Sequence, residues 1–240
     1  MSKKGRLLLV PTLLGGDDIT WIAPATLELL RPIRFFVVEN ERSARRFLVK
    51  AGIHHAIDAC KFLLLDKHQT NPNAPLPPFY LAAALEGNDV ALLSEAGCPA
   101  VADPGAALVL EAHRLGIEVV PLVGPSSILL ALMASGLNGQ KFMFHGYLPI
   151  DAAERVRSIK WLEKVSKQQR CTQICIEAPY RNTAFLKTIL QNCQPHTLLS
   201  VAADLTLPTQ YIATKTIAHW NKSSLPDLHK RPCIFSFLSS

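Results

Sequence analysis

Residues 89–124, DVALLSEAGCPAVADPGAALVLEAHRLGIEVVPLVG, restrict the possible folds more than any other stretch of this chain. The apolar run at 90–93 is too short for a helix and is bounded by Asp89 and Ser94, the pattern of a buried strand. A loop rich in Gly, Pro and Ala follows. Residues 106–115 then carry apolar side chains at helical spacing, Gly116 stops that helix, and 119–123 supply a second apolar run. Strand, loop, helix, strand is the crossover from which parallel sheets are built. In open α/β sheets ligands collect beyond the carboxyl ends of the strands, so the loop at 94–105 is the first candidate for a site. Gly97 and Gly105 permit tight turns or close approach of a ligand, and Pro99 and Pro104 stiffen the segment. The same composition also suits a rigid turn that binds nothing.

The flanking sequence repeats the alternation. Residues 6–10 and 34–39 predict strands, and 62–65 a third; the second delivers Glu39 at its carboxyl end. Asp17 or Asp18 is placed to cap a helix running through Ile22, Leu27 and Leu30, and further helices are expected at 40–51, closed by Gly52, and at 79–85. Gly15 and Gly16 follow the first strand, but with neither GxGxxG nor GxxxxGK[ST] the dinucleotide and P-loop readings fail on spacing. Arg42, Arg45, Arg46 and Lys50 are spaced to form one basic face, either solvated or set to contact phosphates of a substrate. Residues 66–78 predict a long loop, mobile or ordered only with a substrate, in which His68 is an exposed residue rather than a general base.

Beyond residue 123, Ser126 or Ser127 is placed to cap a helix over 128–135 that ends at Gly136; its free amides suit an anion, or the serines only cap. A strand at 140–147, a charged helix at 151–167, a strand at 172–177 ending in Glu177, a helix to Leu190 and a strand at 198–204 follow. A last pair, 211–216 and 233–238, reads as an edge hairpin. The expectation is two α/β domains, 1–122 and 123–240.

At 49% hydrophobic and 18% charged residues, the 240-residue chain is globular rather than disordered. No apolar run reaches the roughly 18 residues that span a bilayer, and the apolar segment of MSKKGRLLLVP reads as a first strand rather than a leader, so no membrane partner is expected. Six cysteines without CxxC pairs or matching histidines argue against a disulfide framework or a metal site and for a cytoplasmic location. A net charge of +6 favours approach to an anion such as RNA without requiring one. Neither a Ser-His-Asp set nor HExxH is present, and transfer of an already activated group fits this better than hydrolysis.

Several ordered motifs then carry a resemblance. SEAGCPAVADPG followed by VVPLVGPSS, then ASGL and FHGYLP, resembles the tetrapyrrole (corrin/porphyrin) methylase superfamily, and LLLVPTLLGGDDIT, VVENERSARRFL, IEAPYRNTAFL and ADLTLPTQY extend the likeness over nearly the whole chain. Within it the chain is most similar to the branch that methylates a ribose 2′-hydroxyl of small-subunit ribosomal RNA. The resemblance implies a two-domain α/β fold with parallel and mixed sheets, a cofactor cleft between the domains, S-adenosyl-L-methionine as cofactor, and a homodimer. It places Pro11 near the cofactor, and Ala96, Gly97, Cys98, Val101 and Asp103 along its methionine end. Ser126, Ser127 and Ile128 match a helix start that touches it, and Glu177, Ala178, Ala203 and Pro232 lie near the adenosine half. Proton removal from a ribose hydroxyl needs a base, for which Glu39, Asp103 and Glu177 are candidates. Arg42, Arg45 and Arg46 are candidate RNA contacts.

The chain also departs from that branch. It has Glu95 and Cys98 where the branch shows Asp-Ala-Gly-Thr-Pro, and Glu39, Asn40, Glu41, Arg42 where the branch shows Glu-Asp-Thr-Arg. Residues 206–210 are instead similar to the Thr-x-Pro-x-Gln of corrin-ring methylases. A tetrapyrrole or other small-molecule acceptor therefore stays open, as does a catalytically silent cofactor-binding module, which Cys98 and Leu207 motivate.

Overall fold

The structure, a computed structural model, describes residues 3–65 and 76–240, apart from the side chains of 54–56. Most of the long loop expected at 66–78, His68 included, lies outside the described residues. Contacts divide the chain into two compact units, one ending at Ser126 and the other beginning at Ser127.

The first unit runs β1 (Arg6–Val10), α1 (Pro24–Leu30), β2 (Phe35–Val38), α2 (Glu41–Leu48), β3 (Lys61–Leu64), α3 (Ala82–Leu85), β4 (Val90–Leu93), α4 (Ala106–Arg114), β5 (Glu118–Pro121). Its sheet is wholly parallel, in the order β3-β2-β4-β1-β5. Strands such as RLLLV, FFVV and VALL show no polar alternation because both faces are covered. Leu8, Phe36, Val38 and Leu93 pack with Leu30 of α1 and Phe47 and Leu48 of α2. Leu7, Val37, Val90 and Leu92 pack on the other face with Ala84 of α3 and Leu108 and Ala112 of α4.

Two expected helices are broken. Asp18 does cap, accepting from Thr20 N at 3.0 Å, but it caps only a 3₁₀ turn at Ile19–Trp21. The extended backbone of Ala23, imposed by the following proline, then separates this turn from α1. Likewise 79–85 divides into a 3₁₀ turn at Pro78–Tyr80 and α3, with Leu81 between them (φ −113°, ψ 7°).

At the amino end of β1, Arg6 Nη2 meets Asp89 Oδ2 at 2.6 Å and Arg6 N donates to Asp89 Oδ1 at 2.7 Å. The guanidinium holds the Asp89 carboxyl below its ordinary value of 3.8. A depressed folded-state pKa stabilises above the unfolded value and loses that contribution as pH falls through the folded one. Acid unfolding of the protein below pH 3.8 is therefore expected to be less steep in Asp89→Asn than in the wild type, measured by circular dichroism.

The second unit runs α5 (Ser127–Ser135), β6 (Phe142–Tyr147), α6 (Ala152–Gln169), β7 (Thr172–Ile176), α7 (Asn182–Asn192), β8 (Leu198–Ala203), β9 (Tyr211–Thr216), α8 (Ile217–Trp220), β10 (Cys233–Leu238). The sheet order is β6-β7-β10-β8-β9, with β6 and β7 parallel and the other pairs antiparallel. The edge hairpin expected at 211–216 and 233–238 does not form. β10 is the central strand, between β7 and β8, while β9 pairs with β8. Burial explains the difference: CIFSFL is buried over five of its six residues, as a strand covered on both faces must be, whereas β9 is half-exposed and suits an edge. Phe235 and Phe237 join Phe185 and Ile189 of α7, Leu162 of α6 and Trp220 in one core. The Trp220 indole N–H is satisfied by Leu199 O at 2.9 Å.

Candidate active site

In the first unit, the loops leaving β1, β4 and β5 are tied to one another. Thr12 and Gly97 form an isolated bridge, Thr12 N donating to Gly97 O at 2.9 Å and Gly97 N to Thr12 O at 3.3 Å. Thr12 Oγ1 donates to Ser94 O, Ser94 Oγ to Gly97 O at 2.8 Å, and Cys98 Sγ to Pro125 O at 3.5 Å. Gly124 lies so close to Pro11 that a Cβ on it would fall 2.4 Å from Pro11 Cβ. A side chain at 124 is thus excluded by Pro11, and one at 97 would crowd Leu14.

The loop after β4 is also strained. Gly97 (φ 76°) and Gly105 (φ 129°) have left-handed backbone, as do Ala100 (φ 64°) and Ala102 (φ 62°). For residues with a Cβ this costs about 1–3 kcal/mol each and persists where the surroundings impose it, typically at functional sites. Burial pushes the Cys98 thiol up, so it stays protonated at neutral pH and presents a small uncharged wall rather than a nucleophile. Val101 is exposed, and Asp103 is half-buried in the same loop. Glu39 follows β2, and the register of Val38 with Leu93 sets it beside Ser94. A cavity of about 240 Å³ lies against these loops, lined by Thr12, Leu14, Gly15, Gly16, Ser94, Ala96 and, from α2, Ser43 and Arg46.

The basic face expected on α2 is divided. Arg45 Nε pairs with Glu41 at 2.8 Å, and its guanidinium lies 4.5 Å from the Phe62 ring centroid. Lys50 pairs with Asp17, whereas Arg42 and Arg46 are exposed and Arg46 faces the cavity. Spacing alone put these cations in one group; the neighbouring strand and loop separated them.

In the second unit, Ser127 opens α5 and Ile128 is buried beneath it. Glu177 and Ala178 follow β7, Ala203 ends β8, and Pro232 precedes the antiparallel β10. Pairing of Cys233 with Ala203 and of Ile234 with Ile176 therefore sets them at one end of the sheet. Glu177, 4% exposed, accepts from Arg181 Nη2 and from Ala178 N, both at 2.6 Å. Its carboxylate thus holds the turn after β7.

A second buried carboxylate, absent from the sequence-derived candidates, holds the neighbouring turn. Asp204 accepts from Arg231 Nε at 2.7 Å and Thr209 Oγ1 at 2.8 Å, and its N–H donates to Pro232 O at 3.0 Å. Asn182 Nδ2 reaches Arg231 O at 2.6 Å. The available signal was Asp204 itself, which follows a strand just as Glu177 does. Its partner lies 27 residues away, beyond the reach of local pattern.

Comparison with known proteins agrees with this architecture. The family model for Tetrapyrrole (Corrin/Porphyrin) Methylases matches residues 15–220. Proteins named ribosomal RNA small subunit methyltransferase I are similar in sequence. That of Pseudomonas aeruginosa is 38% identical over 178 residues, covering 74% of this chain and 58% of the relative. That of Mesorhizobium japonicum is 34% identical over 212 residues (88% and 67%), and that of Thermotoga maritima 34% over 188 (78% of each). The chain thus spans 58% and 67% of the length of the first two. The crystal structure of the methyltransferase CobJ shares the fold, with a TM-score of 0.62 over 97% of this chain and 93% of that one, at 18% identity. With its parallel and mixed sheets, its ordered loop motifs and this span of matched residues, the chain belongs to the tetrapyrrole (corrin/porphyrin) methylase family.

Proposed function

We propose that this protein is an S-adenosyl-L-methionine-dependent methyltransferase that methylates a ribose 2′-hydroxyl of small-subunit ribosomal RNA. The observation that carries the reading is the loop after β4: four left-handed residues within 97–105, a stretch rich in Gly, Ala and Pro, bridged to the loop after β1. The fit to the cofactor rests on this backbone-rich cradle, where a Cβ on Gly97 would fill the space beside Leu14. When bound, S-adenosyl-L-methionine supplies a methyl group already activated on a sulfonium. The chain is then left with holding donor and acceptor in line, excluding water and taking up a proton. Ala96, Gly97 and Cys98 serve the first two tasks, with Pro11, Val101, Ser126, Ser127 and Ile128 as further contacts. Ala178, Ala203 and Pro232 serve the adenosine half, with Glu177 holding the turn at Ala178 and Asp204 bonded to Pro232. Glu39, Asp103 and Glu177 are the candidates to receive the hydroxyl proton. Arg42 and Arg46 offer cations to RNA phosphates. The names of the relatives in Pseudomonas and Mesorhizobium support the RNA acceptor. The same reading carries two domains, a homodimer and a cytoplasmic location.

A small tetrapyrrole acceptor is the second reading, favoured by the turn in which Thr206 N donates to Gln210 Oε1 at 3.1 Å within the corrin-type Thr-x-Pro-x-Gln pattern. Calorimetric titration with the donor, followed by transfer of labelled methyl to small ribosomal subunits from a strain lacking the gene, separates the readings. Binding is expected, with label in RNA at a position resistant to alkaline cleavage, since a 2′-O-methyl group blocks it. Label only in a precorrin selects the second reading. Donor binding without transfer to any acceptor leaves a silent module, and no donor binding overturns all three.

A further inference from the structure

The outward face of α6 is a second basic surface, distinct from α2 and belonging to the other unit. The helix is capped at its start by Asp151, which accepts from Glu154 N at 2.9 Å, and it turns Ile159, Leu162, Glu163, Val165 and Ser166 inward. That leaves Arg157, Lys160, Trp161, Lys164 and Lys167 exposed along one side. With a rise of about 1.5 Å per residue, the four cations cover roughly 15 Å, and Lys160 and Lys164 are about 6 Å apart along the axis. Acidic compensation is slight. Glu154 reaches Arg157 at 3.7 Å, and Glu163 is turned inward to accept from Gln194 N at 2.7 Å. Amid this positive row stands Trp161, 56% exposed, with its ring edge against His145 of β6 (centroids 6.5 Å apart, planes at 83°).

Trp161 stands outside the face that α6 buries against its sheet. A row of cations with an aromatic set among them is the arrangement that binds single-stranded nucleic acid, phosphates along the cations and a base on the ring. A membrane surface fits less well: an interfacial helix needs its apolar face free for lipid, and that of α6 is packed on its sheet.

We propose that α6 is a docking surface for single-stranded RNA, with Lys160 and Lys164 on successive phosphates and Trp161 stacked on an unpaired base. This deepens the RNA reading of the preceding subsection and rests on it. Fluorescence anisotropy with a labelled single-stranded RNA, a duplex of the same sequence and phosphatidylserine vesicles tests it on the full chain. Lys160→Ala with Lys164→Ala is expected to reduce the slope of log affinity against log salt by about 1.4. Trp161→Ala is expected to weaken single-stranded binding about tenfold, with Trp161→Phe restoring most of it. Donor binding, followed separately by calorimetry, stays unchanged in all three variants. Failure of the wild type to bind donor refutes the methyltransferase reading, while the RNA titrations still report on α6. Equal RNA affinity and salt slope in wild type and variants overturns the docking surface, as does preference for duplex or binding only to vesicles.

Discussion

Gly97→Val is expected to abolish donor binding, with affinity falling more than 100-fold, while the protein remains folded. At φ 76° valine occupies left-handed backbone, among the least favourable placements for a β-branched residue. Its Cβ would sit 3.1 Å from Leu14 Cδ2 and 3.5 Å from Pro125 O, with two methyl groups still to place beyond it. Relief requires moving Leu14 or opening the Thr12–Gly97 bridge, and either displaces the loops proposed to hold the cofactor. The strain, about 1–3 kcal/mol, is smaller than the roughly 5–15 kcal/mol of a typical domain, so the loss falls on binding rather than on folding. Calorimetry read beside a thermal melt distinguishes the two. Unchanged donor affinity in a folded Gly97→Val protein removes this loop from the site.

The second large effect concerns stability. Arg181→Ala leaves the Glu177 carboxylate, whose side chain is 1% exposed, with the Ala178 amide as its remaining partner among the bonds described above. Removing one member of a buried pair typically costs about 3–5 kcal/mol, because the other charge stays desolvated. The melting temperature should fall by about 10 °C or more. Joint replacement, Glu177→Gln with Arg181→Met, should recover much of the loss, since no buried charge is then stranded. A single Arg181→Ala protein that melts like the wild type would show that water reaches Glu177 and that the turn after β7 is held by other contacts.

Both effects involve residues legible before the fold was known, for different reasons. Gly97 stands in a loop between an apolar run and a helix, and a parallel crossover sends such a loop to the ligand edge whatever surrounds it. Glu177 was legible as the carboxylate at a strand's end, but as a candidate base; the ion pair with Arg181 gives it the work of holding a turn. Arg45 changed similarly, from a member of a basic face to a cation lying on Phe62 and paired with Glu41. The Asp204–Arg231 pair leaves no local signal, because neither residue is unusual alone and 27 residues separate them.

The amino-acid sequence by itself determined the local alternation of strand and helix, the glycine-bearing loops and the membership of a methylase family, because these follow from hydrophobic period, turn chemistry and ordered motifs along the chain. The tertiary structure alone decided that Cys233–Leu238 fills the centre of its sheet, that the loops after β1 and β4 are bridged at Thr12 and Gly97, and which charges are paired. Those depend on contacts between residues far apart in the chain. Local periodicity tells a strand that it is buried, but only its neighbours tell it where.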